Sequence, residues 1–353
     1  MTEIDEKNSS APHIRRVRYK GHNPRNYVDK YKELNPDKYG DIIEHVIKRG
    51  NTPAGMHVPI CVQEILNILK IEPGEVGLDA TLGYGGHTLE ILKCLNNKGH
   101  LYALDIDKIE SLKTKERLEK LGYNEKILTI KQLNFADSVS LVPEAGLFDF
   151  ILADLGVSSM QIDNPSRGFS YKTDGPLDLR LNPLQGEPAS VRLKSFTEEE
   201  LRGMLRENAD EVYAAEIAKS IVLKLKEGMV IDTTLKLREV IEEALSFIKG
   251  DNRKELISKS CQRTFQALRI DINDEYEVLY EFLENLPQML NKGGRVAILT
   301  FHSGEDRLVK KAFKRFYSEG LFESISDSVI RPSKEECYIN SRAHSAKLRW
   351  AIK

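Results

Sequence analysis

Cysteine is scarce in this chain. Four occur in 353 residues, Cys61, Cys94, Cys261 and Cys337, and none pair as C-x-x-C. A zinc ribbon, a thioredoxin-like site and a disulfide framework therefore lack support, and a reducing, cytoplasmic setting is expected. Long apolar runs are also missing. None approaches the roughly 20 residues of a membrane span, so no membrane partner is expected. The first residues, Met1-Thr-Glu-Ile-Asp-Glu6, are polar and acidic, and no secretory leader is expected there. The eight histidines show no H-x₃-H pairing and no cysteine at ligand spacing, so no metal site is expected either. A large net charge is missing too. Lys and Arg number 52 against 54 Asp and Glu, a formal balance of −2. Taken whole, that balance argues against a strongly basic nucleic-acid binder.

The average conceals a lopsided start. Between His13 and Lys32 stand Arg15, Arg16, Arg18, Lys20, Arg25, Lys30 and Lys32 against the single acid Asp29, a local charge of +6. Tyr19, Tyr27 and Tyr31 are interleaved with these cations, and Gly21, Asn23 and Pro24 disfavour a helix before Tyr27. This reads as an extended basic arm, with a short helix from Asp41 to Lys48 behind it and a turn from Gly50 to Gly55. Arg15, Arg16 and Arg18 are candidate nucleic-acid phosphate contacts.

The rest is ordinary for a folded chain, with 41% hydrophobic and 30% charged residues, which excludes global disorder. A helix is expected over Pro59–Lys70. Short apolar runs then alternate with helical periodicity. Strands are expected at Val76–Ala80, Leu101–Leu104, Ile127–Ile130 and Phe148–Ala153, with helices at Thr88–Leu95 and Ile109–Leu121. That alternation implies right-handed βαβ crossovers, a parallel sheet and an α/β fold. It stops after Asp163. A Gly/Pro-rich loop runs to Pro188, and helical stretches follow at Thr197–Glu207, Val212–Lys226, Thr234–Leu245 and Asn252–Ser260. Thr197 and Glu200 have capping-box spacing. The sheet pattern resumes with a helix at Glu275–Leu290, a turn at Lys292-Gly293-Gly294 and a strand at Arg295–Thr300. The expected organisation is an arm (1–56), an α/β domain in two pieces (57–163 and 264–353) and a helical insertion (164–263).

Two loops carry candidate chemistry. Leu78-Asp-Ala-Thr-Leu-Gly-Tyr-Gly-Gly-His-Thr88 sits where the first strand becomes a helix, and glycines there let a ligand approach the main chain. Asp105 ends the second strand, about 20 residues on, where an acid can accept both hydroxyls of a ribose. That logic fits NAD and S-adenosylmethionine alike, although the G-x-G-x-x-G of a dinucleotide fold is absent. A tight turn with no ligand is the bland alternative. The second loop, Asp154-Leu-Gly-Val-Ser-Ser159, leaves the carboxyl end of a buried strand, the edge where open α/β sheets bind ligands. Past it, Arg167-Gly-Phe-Ser170 and Asp174-Gly-Pro-Leu-Asp-Leu-Arg180 suit base stacking and phosphate binding, or form a solvated connector. Phe135 follows the third strand, as a core anchor or as a ring against an adenine. His302 with Ser303 evokes a hydrolytic triad. No nucleophile elbow accompanies it, and a packed or capping histidine is the simpler reading.

These segments, together with Arg263-Thr-Phe-Gln-Ala-Leu-Arg269, Phe301-His-Ser303, Glu305-Asp-Arg307 and Ser345-Ala-Lys-Leu-Arg349, resemble the bacterial small-subunit ribosomal RNA cytosine-N4 methyltransferases. The match runs in order from His57 to Arg349. The resemblance implies a Rossmann-like class I methyltransferase sheet with a helical domain inserted after the fourth strand. It implies S-adenosyl-L-methionine held by Gly85, Gly86, His87, Asp105, Phe135, Asp154 and Gln161. The implied substrate is small-subunit ribosomal RNA, free or in an assembling subunit, methylated on a cytidine amine near the decoding centre. Asp154, Ser158, Ser159 and Asp178 are then candidate catalytic residues. Arg167, Phe169, Arg180 and Arg269 are candidate RNA contacts. Monomer and homodimer both stay open. The chain departs from the family pattern at Gly304 (usually Leu), at Asn182 (usually Asp), at Asn208-Ala-Asp-Glu211 and at Ser258-Lys-Ser-Cys261. A paralogue methylating another nucleotide and a non-catalytic RNA-binding assembly factor are the alternatives.

Overall fold

A computed structural model describes residues 59–353. The basic arm, the helix expected at Asp41–Lys48, and Arg15, Arg16 and Arg18 lie outside the described residues. After α1 (Val62–Leu69) the chain alternates β1 (Val76–Asp79), α2 (Gly86–Leu95), β2 (His100–Asp105), α3 (Lys108–Lys120), β3 (Leu128–Gln132) and β4 (Phe148–Asp154). A short α4 (Ser159–Asp163) follows, then the long loop and α5 (Glu198–Ala209), α6 (Ala214–Lys226), α7 (Thr234–Ala244) and α8 (Arg253–Ile272). The sheet resumes with α9 (Glu275–Met289), β5 (Leu290–Thr300), α10 (Ser303–Ser318), β6 (Ser324–Ile325), α11 (Lys334–Ile339) and β7 (Lys347–Ile352).

The seven strands lie in the order β3-β2-β1-β4-β5-β7-β6. The first five pair in parallel, and β7 runs antiparallel between β5 and β6. This is the Rossmann-like sheet of class I methyltransferases. Its order reverses beside β1, so β1 and β4 frame the crevice at the carboxyl edge.

Alternation along the strands builds two cores. On β4, Ile151 and Ala153 face α9 and α10, packing with Phe282, Leu286 and Phe313. Phe150 and Leu152 face the other way, with Ile65, Leu69 and Leu92 of α1 and α2. Each such fully buried side chain contributes about 1.5–3 kcal/mol of transfer free energy. A third core, from Phe169 to Leu268, fills the helices after β4, with Leu205, Ile217, Ile221, Leu237 and Ile241 fully buried. Thr197 and Glu200 form the reciprocal capping box that starts α5. No helix among the described residues is long and apolar enough to cross a membrane.

Two local expectations change, and α10 and β7 lie where no element was expected. The helix read as ending at Ser260 is one 20-residue helix, α8, continuing to Ile272. Cys261, Thr264, Phe265 and Leu268 extend its buried face, so a boundary at residue 263 falls inside a continuous element. Lys292-Gly293-Gly294 is not a free turn. It lies within β5, with Gly293 at φ +76° and a register shift against β4 at Phe148/Phe150. Charged residues dominate the sequence of α10. The tail at Ser345–Arg349 enters β7, where Arg349 is buried and paired with Asp306 at 2.6 Å, so it lies inside the sheet.

Candidate active site

The carboxyl ends of β1, β2 and β4 carry Asp79, Asp105 and Asp154. Asp79 is fully buried and accepts from Thr88 Oγ1 at 2.6 Å and from the Thr81 N–H at 3.1 Å. Burial pushes its carboxyl up, with the Thr88 bond acting against the shift. Thr81 Oγ1 in turn accepts from the Asp154 N–H at 2.6 Å, which ties the loop after β1 to the end of β4. Asp79 and Thr81 were not among the expected site residues. Their signal was the Asp-x-Thr sequence that closes β1.

Asp105 stands where a ribose-binding acid belongs. Its Oδ2 accepts from the Gly83 N–H at 3.0 Å and its Oδ1 from the Asp107 N–H at 2.8 Å. Burial pushes this carboxyl up to about 6. Gly85 has φ +67° and forms the cap of α2, a backbone state that favours glycine. A β-carbon there would meet Thr114 Cγ2 at 2.8 Å, and one on Gly86 would meet Pro59 Cγ at 2.5 Å. The turn therefore needs both glycines for packing as well as for any ligand.

His87, on the first turn of α2, is buried and points Nε2 at Asp154 Oδ2, 3.5 Å away. At that separation the two form an ion contact. Neither His87 Nε2 nor Asp154 Oδ1 has a hydrogen-bond partner among the described residues. Burial disfavours the imidazolium, yet Asp154 outweighs it and the histidine pKa goes up. A buried donor and a buried acceptor without partners are costly, and a polar ligand that pairs with both would recover that cost. The amino-acid end of S-adenosylmethionine has such groups, and the site residues fit it.

The remaining expected residues divide. Phe135 is partly buried and packs edge-on against Phe282, ring centroids 5.3 Å apart, beside the end of β3. Ser158 caps α4, its Oγ accepting from the Gln161 N–H while Gln161 Oε1 accepts from the Ser158 N–H. The side chain of Ser159 lies outside the described residues. Asp178 is committed to Arg180 through two bonds of 2.7 and 2.8 Å, and Arg180 also donates to the Gly186 carbonyl. Arg167 is bound to the buried Asp107 at 2.7 Å and to the carbonyls of Leu181 and Arg180. Arg269 is held by Glu275 at 2.7 and 2.8 Å. Phe169 is buried in the third core. The structure thus gives Asp178, Arg167, Arg180 and Arg269 partners within the fold and packs Phe169 into the third core. Poorly exposed guanidinium groups need acceptors, the fold supplies them internally, and a buried ring offers no face to a base.

His302 caps α10. Its Nδ1 accepts from the Glu305 N–H at 3.4 Å, and Glu305 Oε2 accepts from the Phe301 N–H at 2.9 Å. Two groups of ligand-type atoms gather within 4.8 Å among the described residues: Cys61, Glu64 and Glu336, and Glu275, His302 and Glu305. Glu336 accepts from the Cys61 N–H, Glu275 holds Arg269, and Glu305 caps α10, so carboxylates of both groups are engaged in structural bonds.

A family model described as the MraW methylase family matches residues 54–353. The chain belongs to the MraW methylase family. This MraW methylase is 64% identical over 353 residues to "Ribosomal RNA small subunit methyltransferase H 1" of Lachnoclostridium phytofermentans, covering 100% of this chain and 96% of the relative. It is 62% identical to "Ribosomal RNA small subunit methyltransferase H 2" of Alkaliphilus metalliredigens, over 96% of this chain and 97% of the relative. It is 39% identical to "Ribosomal RNA small subunit methyltransferase H" of Clostridium botulinum (strain Kyoto), where 83% of this chain covers 97% of the relative. As a methylase with this sheet and this strand-end site, it uses S-adenosylmethionine as methyl donor.

Proposed function

We propose that this methylase transfers a methyl group to the exocyclic N4 amine of a cytidine in small-subunit ribosomal RNA, near the decoding centre. The observation that carries the reading is the His87–Asp154 pair at the carboxyl edge, with Asp105 one loop away, in a chain whose relatives are named as small-subunit ribosomal RNA methyltransferases. S-adenosylmethionine supplies a methyl carbon already activated by its sulfonium. The amine forms the new N–C bond, the C–S bond breaks with its electron pair left on sulfur, and the nitrogen sheds a proton to solvent.

The chain's own task is therefore positioning and charge placement. Asp105 accepts the ribose hydroxyls, while the Gly85-Gly86 turn, His87, Phe135, Gln161 and Asp154 enclose the cofactor. Asp154 and the loop carbonyls through Ser159 accept from the amine, which localises its lone pair and offsets the charge that develops. The helices between residues 164 and 263 serve substrate recognition. The arm, with its local charge of +6, binds RNA phosphates. The setting is the cytoplasm and the partner is the small subunit or its RNA.

The test is mass spectrometry of small-subunit ribosomal RNA from cells lacking the gene, with complementation. Loss of one N4-methylcytidine, restored by the intact gene and not by Asp154→Asn, is expected. Unchanged modification across that RNA would overturn the reading. For the arm, removal of residues 1–32 should weaken RNA binding and flatten its salt dependence. Unaltered binding at low salt would refute that role.

A further inference from the structure

A polar cleft of about 290 Å³ opens between α8 and the start of α10, and no role described so far uses it. One wall is a stripe of α8, Lys259, Gln262, Arg263 and Gln266, spaced i, i+3, i+4 and i+7. The opposite face of α8 is buried, including Ile257, Cys261, Thr264, Phe265 and Leu268. The stripe is thus the side of the helix left for something other than the core. The facing wall is His302 and Ser303, at the N-terminus of the 16-residue α10. The N–H groups of Ser303 and Gly304 have no preceding helical carbonyl to bond, and that end of the helix is electropositive.

The charges are unequal. Lys259 pairs with Glu255 at 2.6 Å, and both are exposed. Asp210, the acid on the rim, is shared with Ser303 Oγ at 3.4 Å and Arg307 at 3.9 Å. Arg263 has no acidic partner among the described residues. The cleft therefore presents an uncompensated guanidinium, two amide side chains and a helix N-terminus.

It also sits at the reacting edge. Leu299 of β5 pairs with Asp154 of β4, and the chain reaches His302 three residues later. A β-carbon on Gly156, in the loop after Asp154, would touch the ring of Phe301 at 3.8 Å.

We propose that this cleft binds a phosphodiester of the single-stranded RNA that flanks the target nucleotide. Arg263 and the first turn of α10 take the phosphate oxygens, and Gln262 and Gln266 take a ribose hydroxyl or base edge of the neighbouring nucleotide. The proposal rests on the reading of an RNA acceptor.

The test uses the full chain and a transcribed fragment of small-subunit ribosomal RNA. Affinity is measured against salt for wild type, Arg263→Gln and Arg263→Lys, with S-adenosylmethionine affinity measured in parallel. Arg263→Gln should weaken RNA binding by about tenfold and lower the salt slope by about one. Arg263→Lys should keep the slope, and cofactor affinity should not move. If wild type binds and methylates the fragment while Arg263→Gln matches its affinity and slope, the cleft proposal falls alone. If wild type neither binds nor methylates it, the RNA-acceptor reading falls and takes the cleft with it.

Discussion

The hydroxyl oxygen of Tyr276 occupies the space in which a side chain at position 304 would begin, 1.9 Å from an ideal β-carbon on Gly304. The same hydroxyl donates to the Asn208 carbonyl at 2.9 Å, and the Tyr276 ring tilts over His302 with centroids 5.8 Å apart. Burial, with Glu305 and Glu275 nearby, pushes the phenol up to about 12, so it stays a donor across the working range. The glycine that departs from the family pattern is thus coupled to a tyrosine on another helix.

Substitution at either position should therefore be non-additive. Gly304→Leu alone forces Tyr276 aside and should destabilise the fold by about 1–3 kcal/mol through overpacking. Adding Tyr276→Ala should recover part of that loss. Urea unfolding of the two single variants and the double variant measures the coupling. Simple additivity would mean that the tyrosine moves away freely.

Arg167 leads to a different expectation from the one its sequence suggested. Its guanidinium is bonded to Asp107, whose side chain is 1% exposed and whose Oδ1 also caps α3. Removing the arginine leaves Asp107 Oδ2 buried without its cation, while Oδ1 keeps the Ile109 and Glu110 N–H groups. Arg167→Ala should lower stability by about 3–5 kcal/mol. RNA affinity per folded molecule should stay within about twofold, because no phosphate contact is lost. A tenfold fall in RNA affinity with intact stability would return Arg167 to the RNA interface.

The contrast between Arg167 and Arg263 marks what could be read in advance. The alternation of β1 through β4, the break after Asp163 and the strand-end acids were legible because period and turn chemistry are local properties. Asp105 and Asp154 stand at strand ends for that reason. Whether an arginine faces solvent or a partner is set by residues far away in sequence. Arg167 and Asp107 are separated by 60 positions, and no local pattern links them. The helix α10 was hidden by its charges, and β7 by its position after two irregular segments. The length of α8 was missed because Ser258-Lys-Ser-Cys261 looks like an ending. Within it Lys259 faces out, while Ser260 and Cys261 lie on the buried face that carries on to Leu268.

Asp105 links cofactor binding to pH. Its carboxyl is pushed up to about 6 by burial, against bonds from the Asp107 and Gly83 N–H groups. In the free protein this group is protonated below that pH, and a protonated carboxyl accepts two ribose hydroxyls poorly. Affinity for S-adenosylmethionine should therefore fall as pH drops through about 6. Calorimetric titration between pH 5 and pH 8 checks this, with Asp105→Asn as the control that removes the dependence. The raised value also gives a stability sign. The fold loses stability as pH rises from the unfolded value of 3.8 through about 6, because ionisation is disfavoured only when the group is buried.

His87 should titrate above its unfolded value of 6.5 because Asp154 lies 3.5 Å away, even though burial pulls the other way. The Asp154→Asn variant keeps the burial and removes that charge, so the imidazole midpoint should move down. NMR titration of the His87 ring measures both midpoints. The linked stability has a definite sign. A histidine with a raised folded pKa contributes fully below its unfolded value and loses that contribution as pH rises through the folded one. The gap in unfolding free energy between wild type and Asp154→Asn should therefore be widest below pH 6.5 and shrink above it. A gap that widens with pH would show that His87 is neutral in the fold and that Asp154 stabilises it by some other route.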